Sequence, residues 1–84
     1  MPYIAKANRA WFDSHLIELA YMVACSGELN YCITKLLHLY AGKNDESYTL
    51  LNELIGVLEC AKLELYRRKL APYEDKKIEQ NGDV

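Results

Sequence analysis

Residues 47–70 read SYTLLNELIGVLECAKLELYRRKL, and this stretch decides the fold. Leu50, Leu51, Leu54, Ile55, Val57, Leu58, Cys60 and Ala61 recur at helical spacing on more than one face. A helix that is apolar nearly all round is sandwiched between neighbours. Ser47 precedes the run as a helix N-cap, because its hydroxyl can accept from a free backbone N–H of the first turn. Gly56 lowers helix propensity by about 1 kcal/mol relative to Ala. Close approach of another backbone is a usual compensation, and simple tolerance is the alternative. Downstream, Ala71-Pro72 predicts a stop, since a residue before proline is pushed away from helical angles. Pro72 then opens a short last helix, with Glu74 and Asp75 near its positive end and Asn81-Gly82 as its cap.

Upstream, Leu29, Cys32, Ile33, Leu36 and Tyr40 form the stripe of a second helix, ended by Ala41-Gly42. Ser26 is its expected cap, with Glu28 beside it. Leu16, Leu19, Ala20 and Val23 give the stripe of a first helix, opened by Asp13 or Ser14. Residues 1–12 read as an extended arm, because Tyr3, Ile4, Trp11 and Phe12 follow no helical spacing. Trp11 and Phe12 are expected to dock onto the helices or onto a neighbour. The predicted fold is all-α and a single domain over 1–84: an arm, helices over 13–25, 27–41 and 47–70, and a short helix over 72–81.

The chain has 84 residues, of which 51% are hydrophobic. A chain this short buries only roughly 60% of its unfolded surface. A second copy is the economical cover, so the expected form is a homo-oligomeric helical bundle, at least a dimer. Net charge is −2, which argues against a protein that coats DNA or RNA polymers. Cys25, Cys32 and Cys60 form no C-x-x-C pair and read as small core residues in a reducing compartment. No apolar h-region opens the chain and no stretch is long enough to span a membrane. The expected location is cytoplasmic.

No phosphate loop, metal-binding cluster or nucleophile elbow is present, so no metal, cofactor or catalytic residue is expected. A phosphodiesterase using Glu59 and Tyr66 as proton handlers is disfavoured for want of histidine pairs and metal ligands. Two polar clusters stand out. In the first, Asn30 lies one turn inside the second helix beside Tyr31, free to bond another helix or a ligand. In the second, Glu59, Lys62, Tyr66 and Lys69 share one face, followed by Arg67 and Arg68. The plain reading of this end is solvated and self-paired, with Glu64 and Arg68 at i, i+4. The sharper reading joins arginine forks for phosphates to tyrosine faces for bases.

The strings Gly27-Glu28-Leu29-Asn30-Tyr31, Gly56 through Arg68, Ala71-Pro72-Tyr73-Glu74-Asp75-Lys76-Lys77-Ile78 and Asn81-Gly82-Asp83-Val84 resemble a family of short helical proteins of unknown function. Its members are spread through phages, bacteria and archaea. The opening Met1-Pro2-Tyr3-Ile4 is similar as well, whereas Ala10-Trp11-Phe12 and the 42–47 loop are individual. The resemblance carries no activity. Its phage association implies an anti-defence protein in the host cytoplasm. On that expectation the chain sequesters a nucleotide immune signal, of cyclic dinucleotide or cyclic ADP-ribose type, at a subunit interface without cleaving it. Arg67 and Arg68 would contact phosphates, Tyr66 and Tyr73 would stack on bases, and Asn30, Tyr31, Lys62 and Glu59 would complete the pocket. The alternative is a helical interaction module that binds a host or phage protein.

Overall fold

The structure, a computed structural model, describes residues 4–84. It is helical throughout, with no strand among the described residues. The chain divides into two compact units, residues 1–44 and 45–84.

The first unit holds a 3-10 turn at Lys6–Asn8, then α1 (Ala10–Met22) and α2 (Ser26–Lys43). The expected extended arm is therefore helical from residue 10 onward, and Trp11 and Phe12 lie in the first turn of α1. The N-cap is Arg9, which offers no side-chain acceptor, so the sequence carried no start signal there. Trp11 is 75% exposed and Phe12 54%, so the first unit does not bury them among its described residues. The expectation for Met1 to Tyr3 lies outside the described residues.

Val23 leaves the helical region with ψ 121°, and Cys25 becomes the N-cap of α2. Ser26, expected as that cap, is instead the first helical residue. The Glu28 carboxylate accepts from the Ala24 N–H at 2.7 Å, tying the junction back on itself. It is also the acidic residue of the first turn, where the helix dipole favours it. Gly42 does not stop α2. Asn44 does, with its side-chain amide donating to the Tyr40 carbonyl at 2.8 Å and its backbone N–H to that of Ala41.

The second unit is one helical run in three parts: α3 (Tyr48–Leu65), a π-turn at Tyr66–Leu70, and α4 (Ala71–Asn81). Ser47 caps α3 as expected, its Oγ accepting from the Leu50 N–H at 3.1 Å. The break expected at Ala71-Pro72 does not occur, because Ala71 keeps helical angles of φ −59° and ψ −47°. The cause is local. Proline lacks an N–H and its ring presses on the carbonyl four residues back. The π-turn widens the backbone just there, and the Ala71 N–H reaches back to the Tyr66 carbonyl. At the far end Gly82 has φ +84°, a conformation that glycine adopts without a Cβ penalty, and its N–H closes the last turn on Ile78.

Neither unit builds a dry interior. Ala41 is the one buried residue among those described. Leu50, Leu54 and Leu58 share a half-buried face of α3, while Ile55 is 66% exposed and Leu65 is 65%.

Candidate functional site

An open concavity runs along the second unit beside the π-turn. Lys62, Leu63, Leu65, Tyr66, Lys69, Leu70 and Tyr73 line an open groove of about 850 Å³ along the second unit, with almost wholly apolar walls. Residues three and four apart share a helix face, so Lys62, Tyr66 and Lys69 would align in any helix. Leu70 and Tyr73, four and seven residues after Tyr66, continue the same face past the π-turn. Two lysines and two tyrosines thus edge a leucine floor.

Of the expected site residues, Lys62, Tyr66 and Tyr73 are brought together here. Arg67 and Arg68 do not line the groove. Both are held by Glu64, Arg67 Nη2 at 3.1 Å from Oε1 and Arg68 Nε at 2.6 Å from Oε2. Glu59 pairs with Lys62 Nζ at 3.3 Å. The plain reading of this helix end, self-paired and solvated, describes the arginines well. Lys69, left out of the expected site, belongs to the groove, and the signal was its place seven residues after Lys62.

Asn30 and Tyr31 lie in the first unit. Asn30 Oδ1 accepts from the Thr34 hydroxyl at 3.2 Å within α2, so its amide oxygen is used on its own helix. Tyr31 lines a smaller apolar notch with Leu19, Met22, Val23, Glu28 and Cys32.

The electrostatics follow from these pairs. The Arg68 and Arg67 guanidinium groups lower the Glu64 pKa from 4.5 to about 2. A carboxylate depressed on folding adds stability above its ordinary range and loses it as pH falls toward the folded value. The Arg–Glu–Arg cluster is therefore intact at neutral pH; its contribution shrinks as pH falls below 4.5 and the cluster comes apart at about 2. An NMR titration of the Glu64 carboxyl is expected to show a midpoint near 2. In Arg67→Ala/Arg68→Ala it is expected to return toward 4.5; an unchanged midpoint would remove the arginines as the cause.

The Tyr66 phenol is shifted upward by its hydrogen bond to the Glu74 carboxylate, then by the charge of Glu74 and of Asp75. Two carboxylates near one end of the groove oppose an incoming anion there. The Lys77 ammonium sits 5.5 Å from the centre of the Tyr73 ring and occupies one of its faces.

Among the described residues no cluster of three His, Cys, Asp or Glu could hold a metal ion. No described helix is long and apolar enough to cross a membrane. Neither a curated protein nor a solved structure matches the chain. A family described as a domain of unknown function, DUF6899, matches residues 1–84. The chain belongs to the DUF6899 family.

Proposed function

We propose that this chain is a non-catalytic helical association module, which acts by having its apolar helix faces covered by protein, beginning with other copies of itself. One observation carries this reading: large apolar side chains stand open along the helices of each unit. Much of what is left open is aliphatic and aromatic: Trp11 at 75%, Ile17 at 67%, Met22 at 72% and Leu65 at 65%. Patches of this kind on soluble proteins mark interaction surfaces. The module would work in the cytoplasm, in keeping with three free thiols.

The test is sedimentation velocity of the purified chain at micromolar concentration, joined to stoichiometric co-purification from native cells. The expected result is an assembly of two or more copies, with or without a second protein. A folded monomer that captures no protein would overturn the reading.

The tyrosine-lined groove favours a second reading, in which the assembled form sequesters a nucleotide signal of cyclic dinucleotide or cyclic ADP-ribose type, as an anti-defence protein of phage would. Tyr66 and Tyr73 supply stacking faces, and Lys62 and Lys69 supply charge. The diversion of both arginines onto Glu64 and the nearby Glu74 place it second. A ligand at about 100 times its Kd adds roughly 2.7 kcal/mol. A thermal shift of several degrees with unchanged ligand recovered would raise this reading to first place. No shift with any cyclic nucleotide would remove it.

A further inference from the structure

We propose that the exposed stripe of the second unit is covered by the same stripe of a second copy, the two helical runs lying antiparallel about a two-fold axis near Leu58. This rests on the reading of the chain as an association module and adds the partner, the face and the direction.

The stripe comprises Leu51, Ile55, Lys62, Leu65, Tyr66, Leu70 and Tyr73. Ile55 is 66% exposed, Tyr73 58%, and Tyr66 and Leu70 49% each. Leu51, Lys62 and Tyr73 follow one another at eleven-residue intervals, a repeat that keeps successive residues on one side of a nearly straight helix. The helical run continues through Pro72 without a break, so the line extends to Tyr73. The result is a long surface suited to another helix.

Charge fixes the direction. Residues 45–61 carry Asp45, Glu46, Glu53 and Glu59 and no cation, a balance of −4. Residues 62–72 carry Lys62, Arg67, Arg68 and Lys69 against Glu64, a balance of +3. A parallel, in-register pair would set each segment against its own sign. An antiparallel pair sets the cationic segment of each copy on the anionic segment of the other, and a two-fold axis makes that contact twice. With the axis near Leu58, Leu51 of one copy meets Leu65 of the other. Residues 62–69 then lie opposite 47–54, beside Asp45 and Glu46.

Spin labels read the arrangement directly. One label goes on Cys60 in the full chain carrying Cys25→Ser and Cys32→Ser. The other goes on Gln80→Cys in the chain carrying Cys25→Ser, Cys32→Ser and Cys60→Ser. Twin labels at residue 60 lie near the axis and are expected to be close. Twin labels at residue 80 are expected to be roughly 60 Å apart, since twenty residues of helix span about 30 Å on each side of the axis. Short distances at both sites would mean a parallel pair and overturn the inference while leaving the association reading intact. A second measurement is independent of labelling. Chains carrying Lys69→Glu and chains carrying Glu46→Lys are each expected to self-associate at least about tenfold more weakly than the parent, and to regain parental affinity when mixed. Failure of the mixture to recover overturns the antiparallel pairing. A monomer in the unsubstituted chain overturns self-association itself.

Discussion

Ile55→Asp/Leu65→Asp is expected to turn the assembled protein into a monomer and to lower its Tm by more than about 10 °C. Burying an aliphatic side chain contributes roughly 1.5–3 kcal/mol. These two are 66% and 65% exposed, so about two-thirds of that gain is still to be made. In a two-fold pair each appears twice, and the four together are worth roughly 4–8 kcal/mol, about a thousandfold to a millionfold in Kd. Aspartate adds the desolvation of a charge wherever the surface closes. The contrast with a working monomer is sharp. There both positions are ordinary surface, and substitutions away from packed features stay within about 0.5 kcal/mol each, apart from the lower helix propensity of aspartate. Val57→Asp, on the opposite side of the same helix and 58% exposed, is the control and should leave both sedimentation and Tm close to the parent. An assembly that survives Ile55→Asp/Leu65→Asp would show that this stripe is not the covered surface.

The helical class and the start of α3 were legible because several signals agreed. Ser47 reads as a cap and is one, and the leucines at 50, 54 and 58 fall on one half-buried face. The start of α1 was not legible, because its N-cap is an arginine with no oxygen to offer and its first turn holds Trp11 and Phe12, residues that fit several conformations. The path through Pro72 was missed for a different reason. The rule against helix before proline describes regular backbone, whereas five residues here adopt the wider π geometry. In the groove, Lys62, Tyr66 and Lys69 were readable as one face from spacing alone. The capture of both arginines was half readable: Arg68 stands four residues after Glu64, but Arg67 at three competes for the same carboxylate. Asn30 was misleading, since a polar residue inside a helix invites a long-range partner and its oxygen instead takes the Thr34 hydroxyl one turn on.

Pro72→Ala is expected to strengthen the helix and to leave the assembly as tight as before. Proline in a helix interior lies about 3 kcal/mol below alanine. The π-turn relieves part of that strain, so a gain of about 1–2 kcal/mol in the second unit is expected. Alanine restores an N–H that can reach the Arg68 carbonyl, and the backbone is then free to return to regular α geometry. In regular α geometry Leu70 and Tyr73, four and seven residues after Tyr66, still share its face, so the stripe is kept. Amide exchange reads the first effect as new protection at residue 72, and sedimentation at matched protomer concentration reads the second as an unchanged association constant. The two readouts must be taken separately, because loss of the assembly by itself lowers the apparent Tm. Protection without loss of association would reduce the π-turn to a device for tolerating Pro72. Loss of association together with new protection would assign it the task of keeping Tyr73 in register, in line with the frequent placement of π-turns at functional positions.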